Sequence, residues 1–216
     1  MKLKVCGMKY NPAEVAALEP DYLGFIFWEP SARYFDIGPS NVPRGSERVG
    51  VFVDAALEEV INRVFEFELN AVQLHGSESP DYCSELKNLL VANELSNISV
   101  FKAFAVDENF DFSRLNAYDE VCDYFLFDTR GELPGGTGKR FDWNLLRDYK
   151  LSKPFLLSGG IGPDDAEALL EFFNRPEAQN CMGIDVNSKF EIKPGLKDTE
   201  ALKIFKDKLA SGLKKN

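Results

Sequence analysis

The sequence predicts an α/β fold, a (β/α)8 barrel forming a single domain over residues 1–216, and three observations predict it. Eight short apolar runs alternate with helical patterns along the chain. The 216 residues, 44% of them hydrophobic, suffice for one sizeable core and leave little room for long insertions. Two of the runs end in ionisable side chains, Cys6 and Asp128, and in a parallel barrel the C-terminal strand ends face the chemistry. A doubly wound open sheet would show the same alternation.

The strand-like runs are 3–6, 22–27, 49–53, 71–74, 100–105, 124–128, 155–158 and 182–186. Each is short, rich in β-branched and aromatic residues and apolar on both faces, as strands covered on both sides are. After the first run, Pro12 following Asn11 suits the start of a helix over 12–18, because a missing N–H costs nothing there. After the second, 41–46 is too short and irregular for a helix. Helices are expected over 57–68, 80–93, 112–117 and 144–149, following the third to sixth runs. Pro163, ahead of two acids, opens a helix over 163–173, and 199–213 forms the last.

Composition excludes several classes. A formal net charge of -10 argues against a general nucleic-acid binder, which would carry a basic stripe, yet local cations and backbone amides could still hold a small anion. No apolar stretch reaches about 18 residues and no signal peptide is visible, so no membrane partner is expected. Cys6, Cys83, Cys122 and Cys181 are widely spaced without a CxxC pair, which suits a reduced cytoplasm. The single histidine, His75, cannot make an HExxH site, and no Cys/His cluster has zinc spacing, so no metal is expected.

Three loops bear on anion binding. Pro134-Gly135-Gly136-Thr137-Gly138-Lys139 fails the Walker pattern, with Leu133 at the first glycine position and Arg140 at the Ser/Thr. It reads either as a surface loop or as a lid after the strand ending in Asp128. Ser158-Gly159-Gly160-Ile161-Gly162 fails GxGxxG, but it follows a strand and precedes a helix, so its amides could face an anion. Asp185-Val186-Asn187-Ser188-Lys189 follows the last strand. Loops after strands seven and eight are the usual phosphate site of this architecture.

Several segments carry a family resemblance: Lys4-Val5-Cys6-Gly7-Met8, Gly24-Phe25-Ile26-Phe27, Ser31-Ala32-Arg33-Tyr34, Val49-Gly50-Val51-Phe52-Val53 and Ala71-Val72-Gln73-Leu74-His75-Gly76. Phe127-Asp128-Thr129, the run from Gly135 to Trp143, Leu157-Ser158-Gly159-Gly160 and Pro194-Gly195-Leu196-Lys197-Asp198 follow in order. Together they span nearly the whole chain, which resembles the phosphoribosylanthranilate isomerases of tryptophan biosynthesis. The resemblance implies a cofactor-free barrel, monomeric or homodimeric, acting on a phosphorylated small molecule. It implies the Amadori rearrangement of N-(5-phosphoribosyl)anthranilate to 1-(2-carboxyphenylamino)-1-deoxyribulose 5-phosphate, with Asp128 as acid and Cys6 as base. It further implies Arg33 as partner of the anthranilate carboxylate, which suits a planar guanidinium.

Outside that resemblance, a cysteine in an apolar strand is usually a small buried hydrophobe, as an aspartate at a strand end is often a helix cap, with catalysis the less common alternative for Cys6 and Asp128. A free carboxyl titrates near about 3.9 and a free thiol near about 8.5, so each role needs help from its surroundings. Lys4 shares the Cys6 face of its strand and could supply it. His75 lines the pocket or bonds within the core, Gln73 on the same face reads as structural, and Trp28 and Tyr34 flank an aromatic ring or pack at the rim. The remaining expected substrate contacts are Gly159, Gly160, Asp185, Asn187 and Ser188. Many family members carry Ser-Ser-Gly where this chain has Asn187-Ser188-Lys189, which removes a glycine from the expected phosphate site. The related histidine-pathway isomerases use an aspartate in place of Cys6, and a barrel that only binds phosphometabolites would not need Cys6, Asp128 and Arg33 together.

Overall fold

The computed structural model describes residues 1–129 and 141–213. Eight strands run parallel in chain order: β1 (Lys2–Cys6), β2 (Tyr22–Ile26), β3 (Glu47–Phe52), β4 (Ala71–Leu74), β5 (Ser99–Val106), β6 (Tyr124–Thr129), β7 (Phe155–Leu157) and β8 (Cys181–Val186). Lys2, Leu3, Lys4 and Val5 of β1 pair with Gly183, Ile184, Asp185 and Val186 of β8. That pairing closes the barrel and disposes of the open sheet.

The two-residue alternation of each strand sorts its side chains. Leu23, Phe25, Phe52, Val72, Leu74, Phe125, Phe127, Phe155 and Leu157 face outward into the layer shared with the helices. Each such side chain, fully buried, contributes about 1.5–3 kcal/mol. Inside the barrel, Tyr22, Val49, Ala71, Phe101, Leu126 and Leu156 fill the floor, with Cys6, Ile26 and Val51 above them.

Among the described residues five α-helices cover the strands: α1 (Pro12–Ala16), α2 (Leu57–Glu66), α3 (Pro80–Ala92), α4 (Ala166–Phe173) and α5 (Thr199–Leu213). Their buried residues follow the helical repeat, as with Cys83, Leu86 and Leu90 on α3 or Leu202, Phe205 and Leu209 on α5. Pro80 starts α3, and the Ser79 hydroxyl accepts from the Tyr82 N–H at 3.2 Å.

The helices expected over 112–117 and 144–149 are instead 3₁₀ turns, Phe112–Tyr118 and Trp143–Asp148. Each opens on an aspartate whose carboxylate accepts the N–H two residues on, Asp111 from Ser113 and Asp142 from Asn144, both at 2.9 Å. That local bond competes with α-helical pairing. The buried pairs Leu115/Tyr118 and Trp143/Leu146 then repeat every three residues, the 3₁₀ period. The helix expected over 163–173 likewise begins with a 3₁₀ turn, Pro163–Asp165, before α4. A small antiparallel hairpin, β9 (Glu191–Lys193) and β10 (Leu196–Lys197), was not expected from the sequence and sits between β8 and α5.

Candidate active site

At the C-terminal mouth of the barrel lies a cavity of about 780 Å³, open to solvent. Cys6, Arg33, His75, Asp128, Gly159, Gly160, Asp185, Asn187 and Ser188 all line it. Every substrate-contact and catalytic residue expected from the sequence therefore faces one space. The expected lid, 134–139, lies outside the described residues.

The inner end of the cavity is charged. Lys4 is fully buried and its ammonium lies 3.0 Å from Asp185 on the neighbouring β8. Burial works against this cation, but Asp185 and Cys6 hold its pKa above the ordinary lysine value. A buried ion pair of this kind is a weak source of stability, since apolar residues of similar size often serve as well or better. Its presence in the barrel points to chemistry. Cys6 stands one inward position further along β1. Burial pushes its thiol up, Lys4 pulls it down, and the net direction is upward. The lysine thus helps as expected without overcoming the loss of water. Opposite Cys6, Gly24 of β2 leaves the necessary room: a Cβ there would sit 2.8 Å from the sulfur and 3.1 Å from the Lys4 nitrogen.

Asp128 projects from the end of β6. Its Oδ1 accepts the Thr129 N–H at 2.8 Å, while Oδ2 lies 3.3 Å from Nε2 of His75. On the other side of the imidazole, Gln73 Nε2 is 2.7 Å from Nδ1. Gln73 is completely buried, yet it also borders the cavity. Gln73 is thereby linked to the Asp128 carboxyl through the imidazole.

Arg33 is anchored by a residue that sequence reasoning missed. Its Nε bonds Glu191 of β9 at 2.9 and 3.1 Å, and its Nη2 bonds the same carboxylate at 2.7 Å. That leaves the Nη1 side of the guanidinium for another anion. Lys197 of β10 reaches the same glutamate at 2.8 Å and the Asn187 side chain at 2.7 Å. Burial alone would raise the Glu191 carboxyl, but Arg33 and Lys197 outweigh it and hold the group below the usual range. The signal for Lys197 was present in the Pro-Gly-Leu-Lys-Asp segment, although a buried lysine has no hydropathy signature. Glu191 had none.

The loops after β7 and β8 complete the mouth. Gly159 has φ +90°, and a Cβ there would fall 2.2 Å from Thr129 Oγ1 and 2.9 Å from Asp128 Oδ1. Only glycine fits both that conformation and that approach. Trp28 packs beside Cys6, Ile26 and Val51 and lines the cavity, forming an apolar wall. Tyr34 is bridged to Ile26 and is not among the lining residues.

A carboxyl, a thiol, an arginine and two polar loops around one barrel mouth define an acid–base enzyme for a small anionic substrate. Residues 3–208 match the family model described as N-(5'phosphoribosyl)anthranilate (PRA) isomerase. The N-(5'-phosphoribosyl)anthranilate isomerase of Parabacteroides distasonis is 44% identical over 213 residues, spanning 95% of this chain and 91% of its own. The phosphoribosyl anthranilate isomerase structure from Thermus thermophilus aligns with a TM-score of 0.79 at 25% identity, covering 98% of this chain and 99% of that one. An isomerase solved in complex with reduced 1-(o-carboxyphenylamino)-1-deoxyribulose 5-phosphate aligns at 0.74 with 27% identity, covering 98% and 99%. The chain belongs to the N-(5'-phosphoribosyl)anthranilate isomerase family.

Proposed function

We propose that this isomerase performs the Amadori rearrangement of N-(5-phosphoribosyl)anthranilate with Asp128 as general acid and Cys6 as general base. The observation that carries these roles is their meeting, from β6 and β1, in one cavity that also holds Arg33 and the β7 and β8 loops. Asp128 gives a proton to the ribose ring oxygen. The anthranilate nitrogen's electron pair moves into the C1–N bond as the C1–O bond breaks, leaving an open-chain iminium. The Cys6 thiolate, with Lys4 beside it, removes the C2 proton, and those electrons neutralise the iminium as an enolamine. Loss of the enol O–H proton and protonation at C1 complete the ketone product. No atoms are gained or lost, as an isomerase requires.

The remaining contacts follow from charge and shape. Arg33, held by Glu191 on one edge, takes the anthranilate carboxylate on the other. The ring lies along Trp28, Ile26 and Val51. The phosphate takes backbone amides at Gly159 and Gly160 with Asn187 and Ser188; Asn187 is tied to Lys197, and Lys189 stands at the glycine position of the family pattern. The isomerase complex with a reduced product analogue supports a ligand of this kind. The test follows the loss of anthranilate-type fluorescence when freshly made phosphoribosylanthranilate is added to the protein without metal. Turnover is expected; a folded protein that binds a product analogue and shows no turnover would contradict the assignment.

A further inference from the structure

We propose that Gln73 is a positioning residue for the general acid: it fixes the tautomer of His75 and thereby presents an N–H to Asp128. The inference rests on Asp128 acting as the acid. Three observations support it. Gln73 Nε2 is 2.7 Å from Nδ1 of His75, and Nε2 of the same ring is 3.3 Å from Asp128 Oδ2. A donor at Nδ1 makes that nitrogen an acceptor, so a neutral ring carries its proton on Nε2 and aims it at the carboxylate. Gln73 itself is fully buried, and its carbonyl oxygen has no hydrogen-bond partner among the described residues. A glutamine kept only for stability would be expected to satisfy both ends, since an orphaned buried oxygen is costly. Here one end is left unmet while the other is committed to the imidazole.

The arrangement suits the step assigned to Asp128. When the acid surrenders its proton to the ring oxygen it becomes a carboxylate beside the developing iminium. The Thr129 amide already donates to one of its oxygens. The His75 N–H supplies a donor for the other at the moment the negative charge forms, so the bond strengthens in the transition state. Gln73 touches no reacting atom; its effect passes through the imidazole.

His75 is the only histidine in the chain, so its ring nitrogens are observable by ¹⁵N-detected NMR without assignment. With the imidazole in its neutral form, the parent is expected to show a protonated Nε2 and a bare Nδ1. Gln73→Glu, which offers only acceptors, is expected to move the proton to Nδ1. Gln73→Met, close in volume but without the amide, should lose about tenfold or more in kcat with KM changed less than about threefold. Because His75→Gln keeps an N–H for Asp128 and His75→Leu does not, the former should retain more activity. The Gln73→Met loss should vanish in the His75→Leu background. A proton on Nδ1 in the parent, or a Gln73→Met loss undiminished in that background, would overturn the proposal. The tautomer measurement needs no turnover and no folded variant. An active Asp128→Asn enzyme would sink the acid assignment while leaving that measurement standing.

Discussion

Burial and, less strongly, Asp185 raise the Cys6 thiol while Lys4 and Lys197 lower it, so the thiolate fraction is set by burial against three charged neighbours. Activity that needs the thiolate rises with pH, and a raised pKa moves that ascending limb to the alkaline side. Removing the cation in Lys4→Met is expected to shift the limb of kcat/KM further alkaline. Asp185→Asn, which removes the opposing carboxylate, should shift it the other way. Limbs that coincide with the parent in both variants would show that the pair does not tune the thiol. At this scale the sequence was informative where chemistry ends a strand: Cys6 and Asp128 stood out by position. It read Gln73 as no more than structural and was silent on Glu191, a polar side chain buried against expectation.

Among the elements, the hairpin of β9 and β10 matters more to the site than its five strand residues suggest. It brings Glu191 and Lys197 under Arg33 and Asn187, so the proposed carboxylate and phosphate contacts share one brace. Glu191→Gln should weaken that brace, raising KM and lowering stability at neutral pH by about 1–3 kcal/mol. The folded-state carboxyl lies below its ordinary value. Its contribution is therefore present above the unfolded pKa of about 4.3 and is lost as pH falls through the folded one. Thermal melts of parent and variant should accordingly differ at neutral pH and converge in acid; a constant gap would contradict this account. The hairpin was illegible because two- and three-residue strands carry no periodic pattern. The 3₁₀ turns after β5 and β6 were misread because apolar spacing of three is shared by both helix types, and the deciding signal was the capping aspartate.

Across the whole molecule, alternation of apolar runs gave the right number of barrel strands but could not tell closure from an open edge. Closure follows from the β1–β8 pairing, and the same pairing places Lys4 beside Asp185. Residues separated by most of the chain thereby share one cavity: Cys6 and Asp185 from the joined first and last barrel strands, His75 following β4, Asp128 from β6. The barrel's inner charges add little stability, and in the proposed mechanism they serve the reactive end of the cylinder. The most direct test compares Cys6→Ser and Asp128→Asn with the parent in the anthranilate-fluorescence assay, with circular dichroism to confirm folding. Both folded variants are expected to lose about 10²–10⁴-fold or more in kcat. Either variant turning over at near-parental rate would contradict the assignment of acid and base to this pair.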